Sequence, residues 1–159
     1  PGDGYTLHAC ALRPLSRGHL ELASADPAQP VRIHANYLGD PEGRDLQTLL
    51  EAVRLARRIL GTAAFAPYRG SELYPGATVQ DDAALAEFVR RKAETIYHPV
   101  GTCRMGNDAQ AVVDTQLRVH GIGALRVVDA SVMPRLVGGN TNAPVVMIAE
   151  KASDLILAA

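Results

Sequence analysis

The chain has 159 residues, of which 47% are hydrophobic and 21% are charged, a composition typical of one globular domain. Its 16 basic and 17 acidic side chains leave a formal net charge of −1, and only 4% of the residues are aromatic. This balance excludes the basic surface of a nucleic-acid-binding protein, and the lack of Trp argues against a base-stacking platform.

The two cysteines, Cys10 and Cys103, lie far apart and form no CxxC motif. They could pair, but they do not make a disulfide framework, so we expect a reducing compartment such as the cytoplasm. The apolar run at 143–149 is short and is followed by charged residues, which predicts no membrane span. Because the chain begins at Pro1 without an initiator Met, we expect its start to be an artificial boundary or a cleavage point.

The first third of the chain predicts β-strands. Residues 5–12 have extended character, and residues 19–24 alternate apolar and polar side chains after a turn at Gly18, so we expect these two segments to pair as a hairpin. Residues 31–35 alternate again and predict a third strand.

Two amphipathic helices are predicted in the middle of the chain. The first spans 41–60 and begins at Asp40, which is followed by Pro in the first turn. The second spans 82–96 and is capped by Asp81 or Asp82.

The composition changes at Tyr97, after which glycines and short apolar runs replace the helical pattern. Residues 112–113 and 125–128 predict short buried strands. Residues 143–158 predict a final helix that is entered through Pro144.

His98 is the first candidate for chemistry in this segment. Pro99 follows it directly and biases it away from the helical conformation, at a point where the chain changes direction. An imidazole exchanges protons near neutral pH and therefore suits general acid–base catalysis. The alternative is a His that only caps the preceding helix or packs in the core.

A second candidate is the run Gly-Gly-Asn-Thr-Asn-Ala-Pro at 138–144, which leads into the final helix. Its glycines permit close backbone approach, and its two Asn side chains offer both donors and acceptors. The free amides of a helix start can hold a negative charge or a carbonyl oxygen, although an ordinary Asn-capped helix would have the same pattern. Asp129, at the end of the predicted strand 125–128, could contact a ligand or accept turn hydrogen bonds.

In this order and spacing, the segments resemble the carboxy-terminal signature of the glucose–methanol–choline oxidoreductase family. The matching blocks are YHPVGTCRMG at 97–106, a Val-Asp pair at 113–114, LRVVDAS at 125–131, and GGNTNAP at 138–144 followed by MIAEKASDLI. The upstream blocks LRPLSRGHLEL at 12–22 and NYLGDPEGRDLQTLLEAVRLAR at 36–57 resemble the same domain.

The resemblance implies an enzyme that binds FAD and oxidises an alcohol by hydride transfer to the flavin. It implies that His98 accepts the proton of the substrate hydroxyl and that Asn140 donates a hydrogen bond to the same oxygen. Many members of the family have a second His there. The Asn at position 140 therefore implies that the chain is closer to the choline and aliphatic alcohol dehydrogenase branch of the family, whose members oxidise a primary alcohol to an aldehyde. The implied cofactor-binding residues are Asp129 and Ala130 towards the ribityl–pyrophosphate, and Thr141, Asn142 and Pro144 towards the flavin.

The implied fold is α+β, with an antiparallel sheet packed against helices. Residues 1–96 would form part of a substrate-binding domain, and residues 97–159 an active-site and flavin-facing segment. The chain has no G-x-G-x-x-G fingerprint, so the Rossmann part that binds the AMP half of FAD is absent. We therefore expect this chain alone to bind FAD weakly or not at all and to be inactive. Its expected partners are a small alcohol, the missing amino-terminal half and, through exposed apolar surface, a second copy in a homodimer.

Two other interpretations compete with this one. The chain could be a non-enzymatic α+β binding or interaction module. It could be a hydrolase that uses His98 with Ser131 or Cys103, although it lacks a G-x-S-x-G elbow. A metal site is not expected, because no two of the five histidines, at positions 8, 19, 34, 98 and 120, have i,i+4 or H-x-H spacing.

Overall fold

The structure is a computed structural model that describes residues 3–158, and it divides into two compact units. The first, here called the helical unit, comprises the chain up to Gly18 together with Ala35–Glu94. The second, here called the turn-rich unit, comprises His19–His34 together with the chain from Thr95 onward. The functional division predicted at residue 97 is a separate proposition and stays a prediction.

The helical unit is built on two α-helices, α1 at Arg44–Leu60 and α2 at Asp82–Lys92. Leu50 on α1 packs with Leu85 and Val89 on α2, and all three side chains are buried. A short 3₁₀ helix at Ala63–Tyr68, which the sequence did not predict, lies between them in the chain. Both α-helices are therefore held by their apolar faces, as the helical spacing predicts.

The starts of both helices depend on aspartates that the sequence singled out. The Asp40 carboxylate accepts hydrogen bonds from the Arg44 and Asp45 amides at 2.6 and 3.3 Å. The helix nevertheless begins at Arg44, because residues 41–42 form a turn before it. Asp81 caps α2 by accepting from the Ala84 amide at 2.8 Å. The prediction that α2 reaches residue 96 is wrong, because the chain becomes extended at Ala93.

Asp45 links the start of α1 to the amino-terminal segment of the same unit. Its carboxylate accepts from the Leu15 amide at 2.9 Å, the Ser16 amide at 2.8 Å and the Ser16 hydroxyl at 2.5 Å. Burial on its own raises the pKa of Asp45, but these hydrogen bonds outweigh it and hold the pKa below its usual value. The ionised carboxylate therefore stabilises the folded unit.

The turn-rich unit contains a two-stranded antiparallel sheet, made by β1 at His19–Glu21 and β2 at Arg32–His34. The predicted pairing of residues 5–12 with residues 19–24 is wrong, because residues 5–12 form no strand. The Asp26 side chain accepts from the Ala28 amide at 3.0 Å in a turn that folds β2 back onto β1.

The remainder of this unit has little regular structure before its final helix, α3, at Asn142–Leu157. The strands predicted at 112–113 and 125–128 are reduced to isolated bridges, such as Met105 with Val113. Left-handed backbone at Leu117, Gly121 and Ala124 turns the chain too often for a strand to continue.

One face of α3 closes the core of the turn-rich unit. Ile148 and Ala152, one turn apart, are buried against Val113, Val132 and Met133. In the part of the chain that the structure describes, no helix has the length and apolarity that a bilayer crossing needs. The small antiparallel sheet and the separate helices are compatible with the predicted α+β class.

Candidate active site

His98 lies in a short irregular segment and not at a helix end. Helix α2 ends at Lys92, and Tyr97 adopts left-handed backbone with φ 65° immediately before His98. The His98 side chain is half-buried, and its Nδ1 lies 2.9 Å from the hydroxyl oxygen of Thr141. The alternative in which His98 caps the preceding helix is therefore wrong.

Thr141 is the residue that connects the two sequence motifs. It occupies the N-cap position of α3 and is buried, with 8% of its surface exposed. Its hydroxyl contacts His98 and makes no capping hydrogen bond to the helix. The alternative of an ordinary Asn-capped helix is therefore wrong as well, since no side chain caps the start of α3.

The uncapped start of α3 leaves its first amides available to an acceptor from outside the helix. Asn142 and Ala143 are exposed there, and the first turn contains no acidic residue. Such a helix start favours a carbonyl oxygen or a negative charge. A Cβ added to Gly139, just upstream, would meet no atom within 4 Å.

The segment after His98 is held by backbone hydrogen bonds to a 3₁₀ turn at Ala130–Val132. The Cys103 amide donates to the Ser131 carbonyl at 3.0 Å, and the Met105 amide donates to the Val132 carbonyl at 2.9 Å. Because Val132 is fully buried in the core, these bonds tie the segment after His98 to a fixed support.

Gly101 permits this close association. Its backbone is left-handed, with φ 92°, a conformation that side chains other than hydrogen disfavour. A Cβ at this position would lie 3.4 Å from the Met133 carbonyl oxygen. The backbone conformation at position 101 therefore explains why the segment after His98 has a glycine there.

Asp129 has a structural role in the same turn. Its carboxylate accepts from the Ser131 amide at 2.7 Å, and Ala130 packs against the core of the turn-rich unit. The sequence left open whether Asp129 contacts a ligand or accepts turn hydrogen bonds. The structure confirms the hydrogen bond within the turn. A ligand contact by Asp129 or Ala130 stays a prediction.

The structure thus brings some predicted site residues together directly and others only through chain neighbours. His98 contacts Thr141, and Asn140 and Asn142 flank Thr141 in sequence with their side chains exposed. Pro144 is half-buried in the first turn of α3. The described geometry includes no hydrogen bond that would test the role predicted for Asn140.

Two features of the structure are not apparent from the sequence. The first is the contact of Thr141 with His98, because the resemblance assigned Thr141 to cofactor binding and the two residues lie 43 positions apart in the chain. The other is a cluster of His19, Glu21 and His34 on the hairpin, which in-chain spacing rules cannot detect. Both cysteines are free, with Cys10 exposed and Cys103 half-buried, and a cytoplasmic location stays a prediction.

Comparisons with known proteins give one consistent answer. A family model described as GMC oxidoreductase matches residues 14–149. The chain is 49% identical over 156 residues to an alcohol dehydrogenase [acceptor] of Pseudomonas putida, covering 98% of this chain and 28% of that protein. It is 47% identical over 153 residues to an oxygen-dependent choline dehydrogenase of Proteus mirabilis, covering 96% of this chain and 27% of that protein.

A solved structure agrees. The fold is similar to that of an Aspergillus oryzae formate oxidase studied for its FAD modification, with a TM-score of 0.84 and 33% sequence identity. The match covers 92% of this chain and 26% of that chain. The chain therefore spans a little over a quarter of the length of the curated relatives that it matches.

Proposed function

Because the chain belongs to the glucose–methanol–choline (GMC) oxidoreductase family, as its carboxy-terminal domain, we propose that the whole protein oxidises a primary alcohol to an aldehyde with FAD. The observation that carries the proposal is the 2.9 Å contact between His98 Nδ1 and the Thr141 hydroxyl at the start of α3. It joins the proton-exchanging group to the segment that contains Asn140.

His98 is proposed as the catalytic base. In the tautomer with the proton on Nδ1, Nδ1–H donates a hydrogen bond to the Thr141 hydroxyl oxygen, and Nε2 keeps a free lone pair. That lone pair accepts the proton of the substrate hydroxyl while the carbinol C–H bond releases hydride. Thr141 is a positioning residue, since its contact with Nδ1 holds the orientation of the His98 ring without touching the substrate.

Asn140 is proposed to donate a hydrogen bond from its side-chain amide to the same substrate oxygen. A neutral donor stabilises the developing alkoxide, and the alkoxide is the form from which hydride leaves most readily. Asn140 is exposed and directly precedes Thr141, which agrees with a group that must reach a substrate beside His98.

FAD, when bound, supplies the hydride acceptor. The residues at the start of α3 fit such a group, because uncapped amides and the exposed Asn142 favour an acceptor edge that gains negative charge on reduction. We assign Thr141, Asn142 and Pro144 to this side. Asp129 and Ala130 are assigned to the ribityl–pyrophosphate side. The Asp129 carboxylate also accepts a hydrogen bond from the Ser131 amide in its own turn.

A choline-like or aliphatic alcohol is the proposed substrate class. It rests on Asn at position 140 and on the relatives, which are named as alcohol and choline dehydrogenases. Residues 1–96 would contribute to the substrate-binding domain, and residues 97–159 to the flavin-facing segment.

The amino-terminal FAD-binding half is the proposed covalent partner of this domain. The hairpin exposes Leu22 and Ile33, and α3 exposes Val146, Met147 and Ile156, all of which a further domain could cover. The chain alone is proposed to bind FAD weakly or not at all and to lack activity, and a yellow protein with turnover would contradict this. A homodimer stays a prediction.

The test is anaerobic flavin reduction in the whole protein, with choline, short aliphatic alcohols and aryl alcohols as substrates. His98→Ala should slow reduction by about 10²–10⁴-fold, the usual contribution of a general base. Asn140→Ala should slow it by about 10²-fold, as for loss of one oxyanion donor. His8→Ala, at an exposed position, is the matched control and should leave the rate unchanged.

Thr141 and the cofactor residues need readouts of their own. Thr141→Val should lower the limiting reduction rate and change its pH profile, while Thr141→Ser should restore both. Asn142→Ala should lower the flavin content of the purified protein. Asp129→Ala should lower it as well, and by more than Asp129→Asn, because Asn keeps a side-chain oxygen that accepts the turn hydrogen bond. Unchanged reduction in both His98→Ala and Asn140→Ala would refute the mechanism.

A further inference from the structure

The β1–β2 hairpin places three metal-ligating side chains on one face. In the antiparallel register His19 lies directly opposite His34, Leu20 opposite Ile33, and Glu21 opposite Arg32. Side chains alternate between faces along a strand, so His19 and Glu21 share a face. Cross-strand pairing adds His34 and Arg32 to that face, and the apolar Leu20 and Ile33 lie on the other.

The three side chains are close enough to share one ion. The imidazole rings of His19 and His34 stack, with their centroids 4.4 Å apart and their planes 13° apart. Nε2 of His34 lies 3.2 Å from a carboxylate oxygen of Glu21. One ligand atom from each of the three residues lies within 4.8 Å of the other two.

The donor set indicates the class of ion. Two imidazole nitrogens and one carboxylate oxygen are ligands for Zn²⁺, Ni²⁺ and Cu²⁺, whereas Ca²⁺ and Mg²⁺ prefer oxygen ligands alone. All three residues are exposed, so water can complete the coordination shell and an ion has free access. Both ligating strands are fixed by their pairing, so the two imidazole rings would rotate out of their stack to direct their nitrogens at one ion.

Arg32 is a positive charge on the same face that opposes binding. Its guanidinium lies 3.7 Å from the Glu21 carboxylate, and both side chains are at least half exposed. A cation entering the cluster must compete with Arg32 for that carboxylate. The Arg32–Glu21 ion pair therefore weakens the contribution of the Glu21 carboxylate to cation binding.

We propose that His19, Glu21 and His34 form a binding site for a late first-row divalent cation, with Cu²⁺ bound more tightly than Zn²⁺ or Ni²⁺. The site uses none of the residues proposed for alcohol oxidation. Its existence therefore does not depend on the proposed function, and either proposal can fail alone.

The test is a competition titration of the whole protein with Zn²⁺, Ni²⁺ and Cu²⁺ against a chromophoric chelator. One equivalent of ion should bind, and His19→Ala and His34→Ala should each lower its affinity at least about tenfold. Glu21→Gln should weaken binding less, and Arg32→Gln should strengthen it, because the competing charge is removed. His8→Ala and His120→Ala are the matched controls and should bind as the wild type does.

A second measurement excludes general surface binding. Ni²⁺ at one equivalent should broaden the imidazole NMR signals of His19 and His34 before those of His8, His98 and His120, and Mg²⁺ should broaden none. Stoichiometric binding that survives both His→Ala substitutions, or no competition with the chelator by any of the three ions, would overturn the site. Because the side chains are exposed, circular dichroism should show that the variants stay folded.

Discussion

The helical unit and the turn-rich unit stabilise their chains in different ways. In the helical unit, two amphipathic helices bury Leu50, Leu85 and Val89 between them, and aspartates fix the helix starts. In the turn-rich unit, the regular elements of the described residues are α3, one short 3₁₀ turn and a hairpin with strands of three residues each. Isolated bridges and left-handed residues characterise the chain between residues 105 and 126.

This difference matches the distribution of candidate chemistry. His98, Thr141 and Asp129 all lie in the turn-rich unit, where the backbone changes direction every few residues. A catalytic group needs an orientation that a regular helix face seldom offers, whereas a loop held by a core can provide it. The helical unit contains none of the proposed catalytic or flavin-contacting residues.

The largest expected effect on stability comes from the core of the helical unit. Leu85→Ala removes a side chain that is 1% exposed and should lower the free energy of unfolding by about 2–5 kcal/mol. Urea unfolding followed by circular dichroism measures it. Leu73→Ala, at a position 76% exposed in the same unit, is the control and should have no measurable effect. A cost below about 1 kcal/mol for Leu85→Ala would mean that the packing of α1 on α2 does not hold this unit.

A smaller effect is expected from Asp45, which holds the amino-terminal segment to α1. Asp45→Asn removes the charged acceptor of the Leu15 and Ser16 amides and should cost about 1–3 kcal/mol at pH 7. Because hydrogen bonding outweighs burial and lowers the folded-state pKa of Asp45, this stabilisation is complete above about pH 5. It disappears as the pH falls through the folded-state pKa.

The corresponding measurement is the free energy of unfolding of wild type and Asp45→Asn between pH 7 and pH 3. The difference between the two proteins should be constant near neutrality and should shrink in acid. A difference that grows in acid would contradict the lowered pKa.

The smallest expected effect tests the turn-rich unit. Gly101→Ala forces a Cβ onto backbone with φ 92° and should cost about 1–2 kcal/mol, the usual penalty for left-handed backbone. Gly123→Ala is the control in the same unit, because a Cβ there meets no atom within 4 Å and the backbone is not left-handed. Thermal unfolding compares the two variants, and equal melting temperatures would show that the conformation of Gly101 is not required.

Local sequence patterns predicted the helical unit well. The apolar spacing of α1 and α2 was sufficient for both helices, and Asp81 was correctly identified as the cap of α2. The start predicted for α1 was too early, because the helix begins at Arg44 after a turn at residues 41–42. The ends were less predictable: α2 stops at Lys92 because the backbone becomes extended at Ala93, and no residue type there signals a stop.

The turn-rich unit was predicted less well, for a physical reason. Residues 125–128 have the composition of a strand, but a strand needs a partner of matching length, and turns around Leu117, Gly121 and Ala124 leave only isolated bridges. The prediction of which strand pairs with β1 was wrong for a related reason. Alternation of apolar and polar residues identifies a strand, but it does not show which segment pairs with it.

By itself, the sequence determined the family, the two amphipathic helices and the candidates His98 and Asn140, because motifs and helical periodicity are local properties of the chain. Only the tertiary structure decided that the Thr141 hydroxyl contacts His98 and leaves α3 uncapped. Tertiary structure alone also placed His19 beside His34, across two strands. Both contacts join residues that are distant in the chain, and their distance in space is set by turns and strand register that no local pattern encodes.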